Sequence, residues 1–129
     1  MTTMIAELAV YGDDLKPDQI TSAFGVEPTK AWLRGDIRNR RTKAVYDYGC
    51  WKTCTDESNS SLEEHVQLLI KRVAGCIDSI PSFAAEYGFE IEISVIVRLA
   101  GESPDISLSK GALEWMCALG ASLDIDMYL

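Results

Sequence analysis

Histidine is nearly missing from this chain of 129 residues, occurring once, at His65. A Ser-His-Asp or Cys-His mechanism would have to pass through that single imidazole, and no segment gathers a catalytic kit around it. Its position after Leu62 and before Val66 marks it instead as a boundary residue of a packed helix. Long apolar runs are missing too, none approaching the ~20 residues of a membrane-spanning helix. The opening Met1-Thr2-Thr3-Met4-Ile5-Ala6-Glu7 lacks the basic start and apolar core of an export signal, so a cytosolic protein is expected. Its four cysteines, Cys50, Cys54, Cys76 and Cys117, are then expected as reduced thiols. Cys50 and Cys54 stand too far apart for a tight CxxC redox turn, and a zinc site would need two further ligands. No metal and no cofactor are expected. Cys117, between Met116 and Ala118, reads as core filler.

Positive charge is scarce everywhere but one stretch. Residues 30–43 hold Lys30, Arg34, Arg38, Arg40, Arg41 and Lys43 against Asp36 alone, a local balance of +5. The remainder carries six cations against nineteen carboxylates, a balance of −13, within an overall formal charge of −8. Such a layout implies two electrostatic faces, which govern partners and encounter rates rather than fold. It disfavours nucleic acid as a partner over most of the surface.

What is present suits a packed domain. Apolar residues make up 47% and charged ones 25%, which excludes global disorder, and 129 residues fit one α+β domain with a real core. Residues 5–11 alternate as a first strand, and Pro17 and Gly25 bracket a short helix at 17–24. Strands at about 29–34 and 44–54 flank the basic loop. Ser60 to Glu63 or Ser61 to Glu64 would form a capping box before a helical stripe of Leu62, Val66, Leu69, Ile70 and Val73. A helix over 76–87 follows Gly75, bent or delayed by Pro81. A long strand covers 89–99, a helix capped by Ser109 covers about 110–119, and a last strand occupies 123–128. Strand, acidic turn, short helix, glycine and strand recur at 5–34 and 93–129, implying two βαβ-like halves. The fold expected is a two-layer sandwich, a mostly antiparallel sheet with helices on one face, of ferredoxin-like character with right-handed crossovers.

If the apolar strand positions face the helices, then Glu7, Tyr11, Glu90, Glu92, Asp124, Asp126 and Tyr128 share the open face. Carboxylates so gathered have the chemistry of an acid/base pair or a Mg²⁺ site, or of a docking surface for a basic protein with tyrosines as anchors. The docking surface is the leading expectation. Arg34, Arg38, Arg40 and Arg41 form a second candidate, since guanidinium forks match phosphate oxygens, and Trp32 and Tyr46 nearby have rings able to stack on bases. Arg34-Gly35-Asp36 is an adhesion tripeptide only by letter.

Gly12-Asp13-Asp14-Leu15-Lys16-Pro17-Asp18-Gln19-Ile20, Gly25-Val26-Glu27-Pro28-Thr29, Gly35-Asp36, the strand containing Trp51, Ser61-Leu62-Glu63-Glu64-His65 and Leu119-Gly120-Ala121-Ser122-Leu123-Asp124-Ile125-Asp126 together resemble a bacterial family, domain-of-unknown-function family 4279. The resemblance spans nearly the whole chain and implies a small, soluble bacterial α+β domain with no catalytic residues to carry over. The arginines at 38–41 and the four cysteines lie outside that pattern. The function expected is non-enzymatic: an immunity or antitoxin-like protein covering a basic toxin domain with its acidic surface. The alternative is a small enzyme or ligand-binding domain that holds a phosphorylated or nucleotide ligand in the arginine loop.

Overall fold

Alternation decides the centre of the molecule. In Thr3–Gly12, strand β1, Met4, Ala6, Leu8 and Val10 all point to one side and are buried. The computed structural model describes all 129 residues. It flanks β1 with two antiparallel neighbours, β5 (Gly49–Cys54) and β6 (Glu90–Arg98). Strand β2 (Lys30–Trp32) pairs antiparallel with β5, and β7 (Ser122–Tyr128) runs parallel to β6, giving the order β2-β5-β1-β6-β7. Strands β3 (Ile37–Asn39) and β4 (Ala44–Val45) form a separate two-stranded ribbon.

Four helices cover one face of this sheet: α1 (Pro17–Phe24), α2 (Leu62–Arg72), α3 (Ser79–Tyr87) and α4 (Lys110–Leu119). Ile20, Phe24, Leu62, Val66, Leu69, Ile80, Ala84, Ala112, Met116 and Leu119 meet the even positions of β1, Trp51 and the odd positions of β6 in one continuous core. The molecule is an α+β two-layer structure with a mostly antiparallel sheet. Helix α2 begins at the capping box formed by Ser61 and Glu64, which satisfies two otherwise orphaned donors. Glu63 turns to α4 instead and accepts from Ser109 N and Oγ at 2.8 and 2.9 Å.

The crossovers interlock. β2 lies parallel to β1 with β5 between them, and β6 lies parallel to β5 with β1 between them. These two split crossovers, one through α1 and one through α2 and α3, make the ferredoxin-like pattern. The repeat seen at 5–34 and 93–129 does mark two strand-helix-strand units of unlike kind. The first is split by β5, whereas the second, β6-α4-β7, joins adjacent parallel strands and is appended at the edge.

Four local expectations are corrected. The stretch 44–54 is two strands, because β4 pairs with β3 while Tyr46 to Tyr48 carry the chain over to the main sheet. The basic loop is therefore a hairpin, turned by Asn39 Oδ1 accepting from Arg41 N and Thr42 N and by Lys43 at φ +60°. The helix expected from Cys76 starts at Ser79 after a short 3₁₀ turn, Ala74–Cys76. Pro81 then falls in its first turn, where a missing N–H costs nothing. Finally, Cys117 is exposed, since α4 buries Ala112, Met116 and Leu119, and His65 is fully buried rather than at a boundary.

Candidate functional site: the open sheet face

The second sheet face has no helix over it. The register brings Glu7, Cys54 and Ser94 into one row, Ala9, Lys52 and Glu92 into the next, and Tyr11, Cys50 and Glu90 into a third. Trp32, opposite Cys50, closes one side. Loops finish the enclosure: Asp13 and Asp14 after β1, Asp47 and Tyr48 before β5, and Tyr87 to Phe89 before β6 line a cleft of about 750 Å³ together with these strand residues.

Glycine makes the end of this cleft possible. Gly12 pairs with Gly49 across β1 and β5, where a side chain on Gly12 would collide with the Phe89 ring and one on Gly49 with the Leu15 carbonyl. The two bare positions let the Asp13–Leu15 turn and Phe89 close in.

The walls are aromatic. Trp32 and Tyr46 stack on each other at 4.1 Å and 13°, so each ring already uses one face on the other. Tyr48 meets Trp32 and Tyr11 edge-on, both at 5.9 Å. Lys30 and Lys52 place their ammonium groups 5.3 and 5.4 Å from the Trp32 ring centre, within cation–π range. Trp32 is 8% exposed, and its indole N–H is the buried side-chain donor without an acceptor.

Charge on the floor splits into a neutralised and an unneutralised part. Glu7 accepts from Lys52 Nζ at 3.3 Å and from Cys54 Sγ at 3.2 Å, in a half-buried cluster. Burial alone would lower the Lys52 pKa, but the charge and hydrogen bond of Glu7 outweigh it and raise the value. Burial, then the hydrogen bond to Glu7, pushes the Cys54 thiol up to about 12, and burial pushes Cys50 up to about 11. Both are protonated, inert thiols at neutral pH. Glu92 has no such partner: burial first, then the charges of Asp124, Asp126 and Glu7, raise its pKa. Burial, Glu92 and Glu90 likewise raise Tyr11. This corner would gain from an added cation.

All seven carboxylate and tyrosine candidates lie on the open face by register, but they do not form one compact site. Glu7, Tyr11, Glu90 and Glu92 line the cleft. Asp124 and Asp126 stand exposed on the neighbouring β7, beside Ser94 and Ile96. Tyr128 is opposite Arg98, roughly 26 Å along β6 from Glu90 at ~3.3 Å per residue. The arginines are more dispersed. Arg34 pairs with Asp14 at 3.4 Å, while Arg38, Arg40 and Arg41 ride the exposed β3–β4 hairpin. The shallow hollow there is lined by Arg40 and Lys43 with Gly35, Asp36 and Ile37, not by a converging set of guanidinium groups.

Sequence reasoning missed Lys52, Tyr48, Asp13 and Asp47 as cleft residues. The period-2 run Tyr46-Tyr48-Cys50-Lys52 held a signal for two of them, because it sets these side chains on the same face as Trp32.

No helix is long and apolar enough to cross a membrane. No curated protein and no solved structure matches this chain. One family model does, described as a domain of unknown function (DUF4279), and its match runs over residues 1–129. With the whole length covered, the chain belongs to the DUF4279 family.

Proposed function

We propose that this protein is a non-enzymatic binding protein whose open sheet face receives a basic protein, in the manner of an immunity protein covering a toxin domain. One observation carries the reading: Glu90, Glu92, Asp124 and Asp126 lie on two adjacent strands of an uncovered face, with no ion pair to any of them. Arg98, the cation at the far end, is engaged by Glu57 at 3.2 Å, and Lys52 by Glu7. A complementary positive surface would be drawn to this edge and held by the aromatic walls. The setting we propose is the cytoplasm, where free thiols stay reduced. The arginine hairpin as an anion site has weaker support, because its guanidinium groups do not converge.

The test is an ordering of variants. The native protein, immobilised at low ionic strength, is expected to retain a basic partner identified by mass spectrometry, and Asp124→Lys with Asp126→Lys to slow its association sharply, less so at high salt. Arg40→Glu with Arg41→Glu is expected to leave affinity unchanged. The reverse ordering would overturn the proposal in favour of a phosphate or nucleotide ligand at the hairpin.

A further inference from the structure

Resting on the reading above, we infer that the cleft of the open face is a socket for one arginine side chain projecting from the basic partner. Charge and aromatic walls in the cleft point to a guanidinium group, and its volume accommodates one. Its acids outnumber its cations: Glu90, Glu92, Asp13 and Asp47 line it without an ion-pair partner, and its single lysine, Lys52, is held by Glu7. Beside Trp32, whose ring is already engaged by Tyr46, Lys30 and Lys52, its walls hold the rings of Tyr11, Tyr48 and Phe89, and a planar guanidinium stacks on rings while forking onto carboxylates, which an ammonium cannot do as well. A volume of about 750 Å³ leaves room for the side chain together with part of its backbone.

A further feature is independent of charge and calls for an acceptor instead. Trp32 is 8% exposed and its N–H has no acceptor, and an unsatisfied buried donor is costly. Guanidinium carries donors alone, so it leaves that group unanswered. The peptide carbonyl of the same arginine residue supplies an acceptor. Reaching that covered N–H requires the rings packed on Trp32, those of Tyr46 and Tyr48, to shift. An arginine residue within a chain thus meets both needs of the cleft, whereas a free polyamine meets one.

The test uses a single capped residue, Nα-acetyl-arginine methylamide, titrated into the full chain while the Trp32 indole proton is followed by NMR, with the lysine and citrulline analogues as controls. Expected is a saturable shift with arginine, weaker by about fivefold or more with lysine and none with citrulline, the neutral isostere. Glu90→Gln with Glu92→Gln, both at partly or fully exposed positions, is expected to weaken the arginine probe by about tenfold without lowering the melting temperature. Equal shifts from citrulline and arginine, or an unmoved Trp32 at saturating probe, would overturn the socket. An oligo-arginine peptide separates the two readings. If it binds with salt dependence and Asp124→Lys with Asp126→Lys abolishes that binding while Trp32 stays unmoved, the socket fails and the docking face survives. If neither probe binds, both fail.

Discussion

His65 is the imidazole of a molecule that gives it no water. Its Nδ1 lies 2.7 Å from Thr55 Oγ1 and its Nε2 lies 3.0 Å from Ser58 Oγ. Thr55 Oγ1 accepts from Ala6 N at 2.9 Å and Ser58 Oγ from Ser60 N at 3.3 Å, so each hydroxyl keeps its own proton and a lone pair for the ring, and the neutral imidazole is satisfied on both nitrogens. The network joins α2 to β1 and to the segment after β5 in its neutral form. Burial lowers the His65 pKa below its ordinary value of 6.5. The sign follows: the unfolded chain binds the proton more readily, so this group leaves stability intact above pH 6.5 and removes it as pH falls from there through the lower folded value. Urea midpoints measured between pH 7.5 and 5 should therefore fall more steeply for the native protein than for His65→Asn, which cannot titrate. Identical slopes would show that the imidazole titrates as freely folded as unfolded.

Elements whose ends are written in side-chain chemistry were legible in the sequence. Helices α1 and α4 fall at 17–24 and 110–119 as expected, because Pro17, Gly25, Ser109 and Gly120 supply the boundary chemistry locally. Alternation is less complete as a guide. The run from Ala44 to Cys54 keeps its period of two across a change of partner, since periodicity reports which face a side chain takes and not which strand it pairs with. The β3–β4 ribbon, exposed on both sides and rich in charge, had no apolar pattern to announce it. For the site, the carboxylate rows on β6 and β7 were visible as alternation. The cleft walls were not, since Asp13, Asp47 and Phe89 reach it from loops separated along the chain. The paired glycines test this closure directly. Gly49→Ala, whose methyl group meets the Leu15 carbonyl, should lower stability by about 1–3 kcal/mol. Gly75→Ala has open space and no positive φ, and should be neutral or gain about 0.4–1 kcal/mol. Comparable losses from both in denaturant melts would mean that the approach of Leu15 to Gly49 is not tight.

On the scale of the whole molecule, the ferredoxin-like strand set is complete at Arg98, and the last quarter is an addition that the core nonetheless uses. Ala112, Met116 and Leu119 are at most 6% exposed against the rest of the core, and β7 covers the edge of β6. A chain ending at Arg98 should thus keep secondary structure but lose its cooperative melt and bind a hydrophobic dye, as loosely packed states do. A sharp thermal transition in that truncated chain would show the addition to be dispensable. The same addition supplies half of the unpaired carboxylates on the open face, Asp124 and Asp126. Stability and partner surface are therefore coupled at this edge.

The place of β1 between β5 and β6 also sets a schedule for synthesis. The first strand of this domain is the one that ends in the middle of the sheet, and its two neighbours are encoded about forty and eighty residues later. Translation at roughly 5–20 residues per second holds both backbone edges of this apolar strand open for seconds. Its first edge closes only when residues 49–54 arrive, and its second only with residues 90–98. Pairing at the centre of the sheet thus waits until residue 98 is available, and the nascent chain carries an open apolar strand edge through that interval.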